Sequence, residues 1–184
     1  ALMSDSTGSA MTSILESAPL IKKIKISKMI FPIEKVLFQL VNFAISLIAV
    51  VIVMVFFKIA PTINLLALPL LLIYMLLFCS GLGMLLSALA VFFRDVCHFW
   101  GVIITAWTYA TPLFYPVSLL PNWMQAAEAF NPMYHYVCYF RDIAMYNTMP
   151  GLRENLVCLG IAVITFIVGF LVFRKTEKKF ILYV

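Results

Sequence analysis

The sequence predicts an all-α fold, a polytopic bundle of transmembrane helices with short amphipathic or re-entrant outer helices, and three observations carry that prediction. First, 64% of the 184 residues are hydrophobic and only 11% are charged, with a mean hydropathy of +1.05. Soluble domains carry about 25% charged residues, and no soluble fold of this size can bury so much apolar surface. Second, the apolar residues gather into four uncharged stretches flanked by charged ones. Third, Lys and Arg concentrate on alternate sides of those stretches, so the net charge of +5 reports topology rather than nucleic-acid binding. The chain is read as one transmembrane domain, 1–184, with spans at 33–57, 64–92, 98–118 and 154–173. A cytoplasmic segment, 1–32, precedes them, outer helices fill 119–150, and a cytoplasmic tail covers 174–184.

The opening is polar (SDSTGS) and lacks a charged start followed by an apolar core, so it is not a signal peptide; it reads as the interior of a longer chain whose beginning is missing. Ile14, Leu15, Ala18, Leu20 and Ile21 recur at roughly helical spacing, interrupted by Pro19. In IKKIKISKMIFP, Lys22, Lys23, Lys25 and Lys28 alternate with isoleucines until Pro32, a short basic amphipathic element with a helix stop. Two readings stay open for it: a segment lying on anionic headgroups, or a helix that docks a cytoplasmic partner.

The uncharged run 36–57 between Lys35 and Lys58 suits a ~30 Å hydrocarbon core at ~1.5 Å rise per residue. Gln39, Asn42 and Ser46 share one face, suited to interhelical hydrogen bonds or a polar lining. KIAPTIN is a loop, and the next uncharged run extends to Phe93. Its second half, CSGLGMLLSALA, repeats Ser80, Gly83, Ser87 and Ala90 at three or four, a packing face that lets another helix approach closely. Arg94-Asp95 then forms a very short turn, so the helices on either side are antiparallel neighbours.

The third span carries Trp100, Trp107 and Phe114 every seven residues, with Ile104 and Thr111 on the same side and Thr105, Thr108 and Pro112 on a neighbouring stripe. Such a stripe serves packing or interface anchoring, or offers a surface on which sugar rings stack. Residues 116–153 are too long for a turn and too polar for a span, and Pro116, Pro121 and Pro132 divide them. PNWMQAAEAF and MYHYVCYFRDIAM read as helices short of the ~20 residues needed to cross. The last span follows Glu154 and ends at the basic RKTEKKF.

Lys22, Lys23, Lys25, Lys28, Lys35, Arg94, Arg174, Lys175, Lys178 and Lys179 fall on one side, against Lys58, Arg141 and Arg153 on the other. The first side is therefore cytoplasmic. The four cysteines, Cys79, Cys97, Cys138 and Cys158, lie far apart and form no CxxC pair, so they read as ordinary thiols. His98 and His135 have no ligand cluster nearby, and no metal is expected.

The order LIKKIKISKMIFP, a span, a small-residue span, VFFRDV, an aromatic span ending TPLFYPVSLLP, NPMYHYV, a last span and a basic tail resembles the permease subunit of ABC type-2 polysaccharide exporters, over nearly the whole chain. Its most specific pieces are FFRDV, TPLFYP and Asn131-Pro132. The resemblance implies six transmembrane helices in the family, of which residues 1–16 are the tail of the second with its cytoplasmic extension. It implies a bacterial plasma-membrane exporter of O-antigen, teichoic acid or capsule precursors, built from two permeases and two ATPase subunits. It further implies that 17–31, including Leu20, Ile21, Lys22 and Lys23, is a coupling helix on the ATPase, and that Arg94 and Asp95 make the second contact. The short helices become an outer gate with Trp123, Asn131, Pro132 and Arg141, and the path is lined by Trp100, Trp107, Thr108, Thr111, Phe114 and Tyr115.

The chain has no GxxxxGK[ST], hence no phosphate-cradling loop; ATP and Mg are expected on the partner subunit, and this chain is expected to bind no cofactor and no nucleic acid. The spans hold no ionisable residue of the kind that proton-driven transporters use. Two alternatives remain: a permease of the same type for drugs or other lipids, and a membrane enzyme acting on a polyprenyl-phosphate sugar. For the second, Glu128, His135, Arg141, Asp142, Arg153 and Glu154 are too scattered to form a site. Arg94-Asp95 could equally serve only to shape its turn.

Overall fold

The computed structural model describes residues 1–23, 26–56, 63–113, 121–146 and 148–180. Every regular element among them is helical: α1 (Leu2–Glu16), α2 (Ala18–Lys23), α3 (Ile30–Phe56), α4 (Leu68–Phe92), α5 (Val96–Ala110), α6 (Asn122–Glu128), α7 (Pro132–Ala144) and α8 (Leu152–Thr176). Short 3-10 turns precede α4 (Ile63–Ala67) and follow α8 (Glu177–Lys179). Three helical stretches, Ile30–Val53, Leu68–Phe92 and Leu152–Lys179, are long and apolar enough to cross a membrane. The chain is a multi-pass membrane protein of all-helical fold, as its hydropathy predicts.

The central helix is α4, and the small residues predicted as its packing face are buried: Ser80, Gly83, Ser87 and Ala90. Against α8 the approach is closest of all. A Cβ on Gly169 would lie 1.9 Å from the Gly81 carbonyl oxygen, and one on Gly81 would lie 2.5 Å from the Phe166 Cα. Only a glycine pair permits such contact, and in lipid it is close packing that holds helices together. On another side, a Cβ on Gly83 would meet that of Ala10 in α1 at 2.8 Å.

The cytoplasmic segment expected at 1–32 divides in two. Its first half is α1, which packs among the apolar helices α3, α4 and α5 instead of standing off them. Burial of so polar a helix is possible because its hydroxyls are satisfied locally. Ser6 donates to the Leu2 carbonyl at 2.6 Å, Thr7 to Met3 at 2.7 Å and Ser13 to Ala10 at 2.6 Å. On the polar face of α3, Gln39 Nε2 reaches Ser9 Oγ at 3.2 Å, whereas Ser46 donates to the Asn42 carbonyl within its own helix.

The third expected span is shorter than the sequence reading had it. Helix α5 ends at Ala110, giving ~22 Å of rise against a ~30 Å core. Thr111 is extended (φ −67, ψ 129) because it precedes Pro112, whose ring disfavours the helical conformation for its neighbour. Residues 114–118 of that span lie outside the described residues.

Asn131 caps α7 by accepting from Met133 N at 3.1 Å, with Pro132 in the first turn where its missing N–H costs nothing. A tyrosine cluster then holds α7 against α4 and α8. Asn155 Oδ1 accepts from Tyr139 at 2.7 Å and Tyr74 at 3.4 Å, and Tyr136 donates to the Cys158 carbonyl at 3.1 Å.

Candidate functional site

The C-terminal end of α5 and the start of α7 meet in one hydrogen-bonded joint built around Asn131. Its Oδ1 accepts from Trp107 Nε1 at 2.8 Å, and its Nδ2 donates to Thr111 Oγ1 at 3.1 Å and Glu128 Oε2 at 2.9 Å. The orientation of this amide follows from chemistry: an indole N–H and a backbone N–H can only donate, so the atom facing them is the oxygen. Thr111 Oγ1 in turn donates to the Trp107 carbonyl at 2.9 Å. Glu128 is buried (7% exposed), with that amide as a partner for its carboxylate.

Arg141 makes a second link between the same elements. One guanidinium nitrogen, Nη2, donates to the Pro112 carbonyl at 2.9 Å and the Leu113 carbonyl at 2.7 Å. Those carbonyls are available because α5 has just unwound at Thr111-Pro112. Charge-assisted bonds of this kind are the stronger ones. They make the end of α5 and the body of α7 mechanically continuous.

Beside the joint lies a cavity of about 400 Å³ whose wall includes Trp107, Thr108, Thr111, Tyr136, Phe140 and Arg141. Thr108 is exposed, its hydroxyl donating to the Ile104 carbonyl at 2.7 Å, which leaves oxygen lone pairs facing outward. The arrangement therefore offers an aromatic edge, hydroxyl oxygens and a cation in a largely apolar wall. Among the described residues it contains no pair of groups placed for acid–base work on a bound substrate. At the residue after Arg141, burial and then the charge of Glu154 hold the Asp142 carboxyl above its ordinary range.

Of the expected path residues, Trp107, Thr108 and Thr111 meet at the cavity, and Phe114 and Tyr115 lie outside the described residues. Trp100 is elsewhere. It is buried against α1, with Nε1 donating to Thr7 Oγ1 at 3.0 Å, and stands edge-on to Trp107 at 6.4 Å. The seven-residue stripe is thus split: its inner member packs the bundle and its outer member belongs to the joint. Of the expected gate residues, Asn131, Pro132 and Arg141 are in or beside the joint, whereas Trp123 is exposed on α6. Glu128 belongs to the joint too; the sequence offered it only as one of the scattered ionisable residues of the enzyme alternative.

At the opposite end, Leu20, Lys22, Lys23, Arg94 and Asp95 are exposed, and Ile21 points into an apolar cluster. The first four residues of α5 lie directly beyond Asp95, so this helix runs from the charged turn to the Asn131 joint without interruption.

Comparison with known proteins shows the family. Residues 2–145 match the model of the family described as ABC-2 type transporter. An O-antigen export system permease protein RfbA of Myxococcus xanthus is 24% identical over 181 residues, 96% of this chain and 69% of that protein. One of Klebsiella pneumoniae bearing the same description is 23% identical over 176 residues, 95% and 68% respectively. With most of its length matching that family and its helices arranged as a membrane bundle, this chain belongs to the ABC-2 type transporter family.

Proposed function

We propose that the chain is the membrane-spanning permease subunit of an ATP-driven exporter that moves a lipid-linked polysaccharide of O-antigen, teichoic acid or capsule type outward across the bacterial plasma membrane. The observation that carries this reading is the similarity, over nearly the whole chain, to permeases named for O-antigen export. Two copies of the chain pair with two subunits of a separate ATPase, which holds the ATP and Mg.

The chain's own residues supply positioning and force transmission. Leu20, Ile21, Lys22 and Lys23 on α2, and Arg94-Asp95 on the next turn, receive the ATPase's movement. Helix α5 carries it outward as a rigid rod to Trp107 and Thr111. There a shift of α5 breaks the bonds to Asn131 and Arg141, freeing α6 and α7 to swing aside. Trp107 offers its ring to sugars and Thr108 a hydroxyl oxygen, joined by that of Thr111 once its bond to Asn131 is broken, without binding any one residue tightly enough to stall a moving polymer. The apolar remainder of the cavity suits the lipid carrier.

The test is export by the full-length protein co-expressed with the ATP-binding protein encoded beside it. Lipid-linked glycan is expected to stimulate ATP hydrolysis by the reconstituted complex, and Trp107→Ala is expected to cut surface polysaccharide roughly tenfold while membrane insertion and partner association persist. Stimulation by hydrophobic drugs but not by glycan would replace this reading with a drug or lipid permease. Turnover of a polyprenyl-phosphate sugar with no associated ATPase would replace it with an enzyme.

A further inference from the structure

The segment after α2 and the end of α4, which leads directly into the Arg94-Asp95 turn, are far apart in sequence, yet one apolar cluster touches both. Its buried part includes Ile21, Val91, Phe173 and Phe180, with Met29 and Phe92 packed against it. Phe180 closes this cluster. It follows α8 and its 3-10 turn, among the basic residues Arg174, Lys175, Lys178 and Lys179. Its side chain is fully buried, at 0% exposure. Its ring stands edge-on to Phe173 at 5.2 Å and to Phe92 at 6.0 Å.

Lys28 fastens the same turn from the other side. Its Nζ donates to the Glu177 carbonyl at 2.6 Å and lies 5.7 Å from the centre of the Phe180 ring. That carbonyl also accepts from the Phe180 backbone N–H, and a cation is favoured at such a helix end and over an aromatic face. Glu16 and Lys35, 3.4 Å apart, tie together the helices that flank the connection.

We infer that Phe180, held by Lys28, is a positioning residue for energy coupling, locking the α2–α3 connection to the α4–α5 turn so that both move as one body. The inference rests on the proposed reading that these two elements meet an ATP-hydrolysing partner. Its physical basis is stiffness. Helix α2 has six residues, with Ile21 its buried one, and is too short to be rigid alone. Arg94 and Asp95 are exposed on a turn. A push on either is lost in local bending unless packing behind it resists, and the element common to both is the aromatic returned from the chain's end.

The test is amide hydrogen exchange on the full-length chain in lipid nanodiscs, comparing wild type with Phe180→Ala, Phe180→Leu and Lys28→Met. Phe180→Ala is expected to speed exchange about tenfold in both 18–31 and 93–98 while the middle of α4 is unchanged, and Phe180→Leu to restore most of the protection. Faster exchange confined to residues beyond 176 overturns the inference. Should Phe180→Ala not yield folded protein, Lys28→Met, which removes one hydrogen bond and a cation at the cluster's edge, is expected to give the same paired pattern at about threefold. Its confinement to the tail overturns the inference equally.

In the complex with the ATPase, Phe180→Ala is expected to raise the ATP hydrolysed per unit of polymer exported about tenfold with partner association unchanged. An unchanged ratio overturns the coupling role and leaves the proposed function standing. Failure of any ATPase to associate with the wild-type chain overturns the proposed function, while the exchange pattern still decides whether Phe180 joins the two elements.

Discussion

Gly169→Ala sets two physical effects against each other with opposite signs. Helix propensity alone favours the change, since alanine in a helix interior is about 1 kcal/mol better than glycine. The packing opposes it. The added Cβ would sit 1.9 Å from the Gly81 carbonyl oxygen, 2.6 Å from its carbon and 2.9 Å from its Cα, all backbone atoms of α4 that no rotamer change can move. Ordinary contact begins near 3.4 Å, so α4 and α8 must separate by roughly 1.5 Å at the crossing. A gap of even ~0.5–1 Å forfeits a quarter to a half of each dispersion contact, and overpacking of this kind costs about 1–3 kcal/mol or more. Taking the upper end of that cost and subtracting the propensity gain, the expected net loss is about 2 kcal/mol, roughly 4–8 °C in Tm for a chain of this size. The assay is thermal unfolding of detergent-solubilised protein, followed by loss of the monodisperse chromatographic peak. Gly160→Ala is the control, because a Cβ there meets nothing within 4 Å; it is expected to be neutral or slightly stabilising. If Gly169→Ala and Gly160→Ala behave alike, the close α4–α8 crossing is refuted.

Three further outcomes follow from the hydrogen bonds. Asn131→Asp removes the amide that donates to Glu128 and sets two carboxylates against each other, so stability is expected to fall by about 2 kcal/mol or more at pH 7, measured by the same thermal assay; adding Glu128→Gln should restore much of it. Thr7→Val strands the buried Trp100 indole N–H, an expected loss of about 1–2 kcal/mol that Thr7→Ser avoids, measurable by the same thermal assay. Asp142 has a folded-state pKa raised by burial and by Glu154, so the stability it contributes is present below the ordinary carboxylate pKa and lost as pH rises through the raised one. Asp142→Asn is therefore expected to melt higher than wild type at pH 7, with the difference vanishing near pH 4; equal melting at pH 7 would contradict the assigned environment.

The candidate site was partly legible. Trp107, Thr111, Asn131 and Arg141 stood out in the sequence as an aromatic stripe, a proline-flanked cap and an isolated outer cation, and they converge in one joint. Trp100 belongs to the same stripe by spacing, but its partner is Thr7, a contact no local pattern announces. Phe180 reads as one more residue in a basic tail, and its burial depends on Phe92 and Phe173 arriving from other helices.

The sequence by itself determined the class of the molecule, its long apolar helices and the prediction of which ends face the cytoplasm. Transfer of a residue into lipid, and retention of Lys and Arg on one side, are nearly additive properties of the residues themselves. Only the tertiary structure decided that the polar α1 is packed inside the bundle, that α5 stops at Ala110, and which tryptophan belongs to the joint. Lipid tails are as apolar as the side chains they touch, so hydrophobicity cannot choose helix partners. That choice falls to glycine-sized close contacts and interhelical hydrogen bonds, which exist only once distant segments meet.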